Sequence, residues 1–122
     1  SNPVDLSDQG WDIFCDCAKI MLDYDGLDLL IAHLQAGIFT PSKAPGLAAL
    51  VKEVIKSHKE SDKPMAMAIG PVVSTEVWHT VLDCERECHE NGLPVYHSLS
   101  NAAKAITRFL DYHEHRFASE QN

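Results

Sequence analysis

Two cysteines one helical turn apart, followed by a histidine, form the most suggestive metal-binding pattern in this sequence. Cys84 and Cys88 precede His89, and thiolate sulfur with imidazole nitrogen is a ligand combination that zinc accepts. Four-coordinate zinc needs two further ligands, and no spacing in the chain supplies them. Both cysteines also share an apolar line with Val77 and Val81, where free cysteine behaves as a small hydrophobic residue. We therefore predict that they pack in the core, and a metal or redox role is the alternative.

Histidines near strand ends are the next candidates, because imidazole can exchange a proton near neutral pH. His33 falls within the first predicted strand, and His97 ends the third. Neither has a nucleophile or an orienting carboxylate at a recognisable spacing, so we predict no catalytic residue in this chain. His113 and His115 lack the i, i+4 spacing of zinc proteases and indicate a solvated helix end.

A loop after the first predicted strand could face a phosphate. Ligands of open α/β sheets bind beyond the carboxyl ends of the strands, which directs attention to this loop. Its residues are Gly37, Ile38, Phe39 and Thr40, and they lead into a helix whose free N–H groups and dipole would favour an anion. An ordinary strand-to-helix turn is the alternative interpretation. Neither the dinucleotide fingerprint nor the Walker A pattern is present in the sequence.

Alternating helices and strands must position these residues. Apolar periodicity predicts helices over residues 8–24, 45–58, 74–90 and 101–115, and strands over residues 27–35, 64–69 and 93–97. The continuous apolar run of the first strand predicts burial on both of its faces. Ser7 or Asp8 is the expected cap of the first helix, and Ser98 or Ser100 of the last. This order predicts a small doubly wound, three-layer α/β domain over residues 1–116, with a polar tail at 117–122. The sheet is expected to be mostly parallel with three or four strands, the fourth being an extended piece at residues 3–6.

Charge and length limit the classes of function. The chain has 122 residues, enough for one domain, and a net charge of −8, with seven Asp but one Lys among residues 1–28. Nucleic acids and anionic membranes are therefore not expected partners, because binding them needs clustered Lys and Arg. The chain lacks the ~20-residue apolar run that spans a bilayer. The four cysteines are poorly spaced for disulfides, which favours a reducing cytoplasmic location.

Several short segments, taken in order, resemble a known family. They are Asn2-Pro3-Val4-Asp5-Leu6, residues 25–31, residues 63–67, residues 90–96 with Gly92-Leu93-Pro94-Val95-Tyr96, and residues 98–110. Together they are similar to the third, flavodoxin-like domain of ADP-forming (NDP-forming) acyl-CoA synthetases. The same domain closes the beta subunit of succinyl-CoA synthetase. The resemblance covers nearly the whole chain.

The resemblance implies a role in an acid–CoA ligase. Such an enzyme joins a carboxylic acid to coenzyme A through an acyl phosphate and a phosphohistidine, using CoA, ATP or GTP, and Mg. The phosphohistidine and ATP-grasp elements lie in other domains or subunits, which become the expected partners. This domain would dock against the phosphohistidine domain, offer a helix N-terminus to phosphate, and be inactive alone. Isolated, it could form a homo-oligomer.

The same resemblance adds one residue to the phosphate-facing loop. The family's Gly-Gly-Ile turn matches Ala36-Gly37-Ile38 except at Ala36, and the turn after the second strand matches at Gly70. Pro71 follows Gly70 and lacks a donor N–H, which is a departure from the family pattern. The alternative function is a free-standing flavodoxin-like binding or regulatory module without ligase activity.

Overall fold

The chain alternates helices and strands. The computed structural model describes residues 10–121, apart from the side chains of Ile38, His113 and residues 117–121. The elements are α1 (Trp11–Asp23), β1 (Leu30–Leu34), α2 (Ala44–Lys59), β2 (Met65–Ile69), α3 (Thr75–Glu90), β3 (Val95–Tyr96) and α4 (Leu99–Gln121). Two single turns of 3₁₀ helix, Ala36–Ile38 and Pro41–Lys43, join β1 to α2.

The three strands form one parallel sheet in the order β1-β2-β3. Leu30 pairs with Met65 and Leu34 with Ile69, while Met67 pairs with Val95. The predicted class is confirmed: this is an α/β domain with a parallel three-stranded sheet between helical layers, consistent with a small flavodoxin-like fold. The extended piece predicted at residues 3–6 lies outside the described residues.

The residues of β2 show how the layers are arranged, because successive side chains of a strand point to opposite faces. Met65, Met67 and Ile69 belong to the main core, which also contains residues of α1, α2 and α3. Ala66 and Ala68 are buried outside that core, on the side where α4 packs against β2 and β3. Small alanine side chains let α4 approach this face closely.

Strand β1 is buried on one face, so the prediction of two buried faces was wrong. Leu30, Ala32 and Leu34 are buried, whereas Ile31 is half-buried and His33 is exposed. The reason is position: β1 lies at the edge of the sheet formed by the described strands, and α4 lies mainly over β2 and β3. An uninterrupted apolar run does not show which neighbour covers each face.

Helix ends differ from the sequence predictions by several residues. Helix α1 begins at Trp11 after Gly10 rather than at residue 8, and the two proposed caps, Ser7 and Asp8, lie outside the described residues. For α4, Ser98 is the cap, since its Oγ accepts the Asn101 N–H at 3.0 Å. Helix α4 continues to Gln121, through the segment that was predicted to be a polar tail.

An aromatic contact fixes α1 against α2 and the loop after β1. The Trp11 ring lies over Gly46, where an added Cβ would stand 1.7 Å from a ring carbon. The ring also stacks on Phe39, with centroids 5.2 Å apart and planes inclined by 30°. A side chain at position 46 would therefore displace the Trp11 ring, whose stacking on Phe39 helps to position the first predicted site loop.

Candidate functional site

The turns that follow β1 and β2 lie side by side at the carboxyl edge of the sheet. The Gly70 N–H donates to the Leu34 carbonyl at 2.8 Å, which extends the β1–β2 ladder into the second turn. A Cβ added to Gly37 would stand 3.1 Å from the Pro71 carbonyl oxygen, and one added to Gly70 would stand 3.5 Å from that of Leu34. At each of these glycines, the chain therefore lies close to backbone atoms of the neighbouring segment.

The loop of the first turn divides into exposed and buried residues. Gly37 and Thr40 are exposed, and Ile38 is the last residue of the 3₁₀ turn between them. Phe39 is only 5% exposed and its N–H donates to the Ala36 carbonyl at 3.1 Å. Phe39 therefore anchors the loop to the core, and neither its ring nor its N–H is available to a ligand.

Helix α2 begins with few donor groups. Pro41 and Pro45 have no N–H, and the Lys43 N–H donates to the Thr40 carbonyl at 2.9 Å. The Ser42 N–H lies in the 3₁₀ turn Pro41–Lys43 that leads into α2, and no carbonyl within that turn can accept from it. Lys43 is exposed beside it. The sequence pattern predicted an anion held by backbone N–H groups alone, and the Lys43 ammonium group was not part of that prediction.

The start of α3 is occupied by its own side chains. Ser74 Oγ accepts the Val77 N–H at 3.4 Å and donates to Glu76 Oε2 at 2.8 Å. The hydroxyl donor lowers the pKa of the Glu76 carboxyl, which keeps a negative charge at this helix N-terminus. An anion is therefore better accommodated at the start of α2 than at the start of α3.

The two strand-end histidines lie in different surroundings. His33 is exposed, and its Nε2 is 3.8 Å from the position of a Cβ on Gly70, so it belongs to the edge formed by the two turns. His97 instead faces α3: its Nε2 is 3.1 Å from Glu85 Oε2, and its ring meets Trp78 edge-on at 5.9 Å. Only the parallel register, which sequence alone did not provide, shows that His33 lies beside Gly70.

The cysteines do not form a reactive group. All four are free, and Cys84 and Cys88 are buried as predicted. Burial raises the pKa of Cys84 to about 11 and that of Cys88 to about 12. Cys88 Sγ lies 3.8 Å from Met67 Sδ, to which it donates. Core packing is therefore confirmed. Among the residues that the structure describes, no group of three His, Cys, Asp or Glu side chains could hold a metal ion.

The described carboxyl edge thus offers groups that could bind an anion, and no nucleophile hydrogen-bonded to a base. Its exposed residues include Gly37, Thr40, His33 and Lys43. Within residues 10–121, no helix is both long and apolar enough to cross a membrane. Comparison with known proteins identifies no relative: no family model, no curated protein and no solved structure matches the chain.

Proposed function

We propose that this chain is the flavodoxin-like domain of a cytoplasmic NDP-forming acyl-CoA synthetase. It docks against the phosphohistidine domain and presents the turn at the start of α2 to phosphate. The order of family-like segments along the sequence supports this assignment, and the parallel α/β fold agrees with it. CoA, ATP or GTP, and Mg would be used by the partner domains, and the domain alone would have no ligase activity.

One observation carries the proposal: the close contact between the two glycine-containing turns. Gly37 is exposed, and its missing side chain leaves its backbone accessible beside the Pro71 carbonyl. A phosphate that approaches here meets backbone, the Ser42 N–H and the Lys43 ammonium, while the α2 dipole favours its negative charge. The chain supplies binding groups and the partner supplies the phosphohistidine.

The test uses the complete protein or protein complex to which the chain belongs. We expect its native reading frame, or a co-expressed subunit, to encode phosphohistidine and ATP-grasp domains and to form acyl-CoA with NTP hydrolysis. In that enzyme, Gly37→Ala should slow phosphohistidine turnover by about tenfold, because the methyl group would occupy the turn and displace groups that position the phosphate. Turnover would be followed with radiolabelled phosphate.

Gly10→Ala is the matched control, because a Cβ at Gly10 would meet nothing within 4 Å. Its turnover should equal that of the unmodified enzyme, and circular dichroism should show that both variants are folded. Equal turnover in the Gly37 and Gly10 variants would exclude the phosphate-facing role. A native protein and operon without any ligase domain would exclude the family assignment.

A free-standing binding or regulatory module is the second candidate. Pro71 and the Ser74–Glu76 pair favour it, since they remove a donor from the second turn and leave a carboxylate at the start of α3. This alternative predicts that the native protein has no acyl-CoA synthetase activity with any acid. It also predicts that the chain is expressed without phosphohistidine or ATP-grasp partners.

A further inference from the structure

Helix α1 carries a second apolar line in addition to the one that packs in the core. The core line contains Ala18 and Leu22, which are buried. The second line consists of Ile13, Cys17 and Ile20, with Tyr24 directly after the helix, and we name these four residues the outer stripe. Their spacing of four, three and four residues places them together on nearly the opposite side of α1, because each residue turns the helix by about 100°.

The outer stripe is exposed to solvent. Ile13 is 42% exposed, Ile20 68% and Tyr24 60%, while Cys17 is half-buried. The described helices and strands that pack against α1 are chiefly α2 and β1. Three large apolar side chains in one line, on a helix already anchored by its other face, are typical of a protein contact surface. Heptad-like spacing is the pattern that another helix fits.

Charged residues run beside the outer stripe. Asp12, Asp16 and Asp23 each precede a stripe residue, and Lys19 precedes Ile20; all four are exposed. Exposed Asp25 and Asp28 continue the negative charge beyond the helix. The row is therefore mostly acidic, and it flanks the apolar line on one side over the whole of α1.

The negative charge of this row determines which kind of partner the outer stripe can bind. In an antiparallel pair of α1 helices, the acidic row of one copy would face the acidic row of the other, and like charges at such positions are unfavourable. In a parallel pair, the acidic row of one copy would face the side of the other copy's α1 that holds Phe14 and Met21. Those two residues already pack against the core of their own copy. The acidic row would also repel the anionic headgroups of a lipid surface. A row of Lys or Arg would be attracted.

We infer that the outer stripe of α1 is the docking site for an amphipathic helix of a partner protein, with an apolar line flanked by Lys or Arg. The stripe spans twelve residues from Ile13 to Tyr24, so it accommodates about three turns of such a helix. This surface contains none of the residues proposed to face phosphate, so its test is independent of the ligase assignment.

The inference is tested with a synthetic helix as the probe. The peptide has about 21 residues in three heptads, with Leu at the a and d positions and Lys at e and g; a matched peptide has Glu at e and g. Calorimetry with the whole chain at low ionic strength should show binding of the Lys peptide. The Glu peptide should bind at least about tenfold more weakly, and added salt should reduce this difference.

Two single variants locate the site. Ile20→Ser removes the most exposed stripe residue and should weaken Lys-peptide binding by about tenfold. Leu82→Ser, on α3 at 42% exposure, removes a comparable apolar surface elsewhere and should leave binding unchanged. The bound peptide should also slow alkylation of Cys17, detected by mass spectrometry of the labelled chain.

Three results would overturn the inference. The first is no binding of the Lys peptide, or equal binding of the two peptides. The second is unchanged binding by the Ile20→Ser variant. The third is a dimer of the chain at neutral pH in sedimentation velocity that Ile20→Ser dissociates, because a second copy would then occupy the stripe.

Discussion

Burial, more than sequence spacing, decides what the cysteines can do. Cys84 and Cys88 lie on one line of α3, and the Cys88 sulfur contacts that of Met67 in the adjacent strand. Desolvation is the largest cause of the raised pKa of both thiols, with nearby carboxylates adding to it. A buried neutral thiol is a weak nucleophile and a poor metal ligand, so these residues contribute to packing.

The raised pKa values predict a loss of stability at alkaline pH. Between pH 9.0, the ordinary value, and the folded values of about 11 for Cys84 and about 12 for Cys88, the unfolded chain releases these thiol protons while the folded chain retains them. The free energy of unfolding should therefore decrease as pH rises through this range, by about 1 kcal/mol per thiol for each pH unit. Urea unfolding measured at a series of pH values checks this.

Alkaline pH also affects other parts of the chain, so a control is needed. The double variant Cys84→Ala with Cys88→Ala should be less stable at neutral pH, since it loses buried volume. Its stability should nevertheless depend less steeply on pH above 9.0, where the two thiols no longer contribute. An unchanged slope would show that the thiols are not the cause.

At the scale of elements, the junction between α3 and β3 depends on one backbone conformation. Gly92 has φ of 74°, the positive-φ residue of the described chain. Its N–H donates to the His89 carbonyl at 3.1 Å, and the Leu93 N–H donates to that of Cys88 at 2.9 Å. This pair of bonds is the Schellman closure of a helix, and it directs fully buried Leu93 into the core.

Replacement of Gly92 tests this junction. Gly92→Ala should lower the free energy of unfolding by about 1–2 kcal/mol, because a β-carbon is unfavourable in the left-handed region. Gly92→Asn is the matched variant. Its free energy of unfolding should decrease less, because asparagine adopts the left-handed conformation more readily than alanine does. Chemical denaturation measures both. Equal losses would mean that steric contact, rather than backbone conformation, determines the residue at this position.

Much of the arrangement of elements could be predicted from the sequence, because helices and strands differ in apolar period. The features that could not be predicted are contacts between residues that are distant in the sequence. The apolar run of β1 did not show that this strand lies at the edge of the described sheet. The position of Phe39 in a loop did not show that the Trp11 ring would stack on it.

The candidate site was predictable in location but not in detail. Parallel strands bring their carboxyl ends to one edge, which directs attention to the turns at Gly37 and Gly70. Which groups remain free there depends on local hydrogen bonds, such as the Phe39 N–H to the Ala36 carbonyl. The approach of His33 to Gly70 depends on strand register. Neither the local hydrogen bonds nor the strand register can be predicted from a short sequence motif.

At the scale of the whole molecule, net charge controls self-association. The charge of −8 opposes association between copies at neutral pH, and this net charge falls to zero at the isoelectric point of about 5.2. We expect a monomer at neutral pH and association near pH 5.2 through the exposed stripe of α1. Sedimentation velocity at the two pH values measures this.

The Ile20→Ser variant is the control for this association. It leaves the charge unchanged and removes the stripe residue with the largest exposure, 68%. Its association near pH 5.2 should be weaker than that of the unmodified chain. If both associate equally, another surface of the chain is responsible.

The chain order of the strands has a consequence for synthesis on the ribosome. Each new strand pairs with the one made just before it, and α2 packs against both α1 and α3, its neighbours in the sequence. No described strand must wait for a later one to be inserted between it and its predecessor. The sheet can therefore grow from β1 outward as the polypeptide emerges, and α4 covers β2 and β3 last.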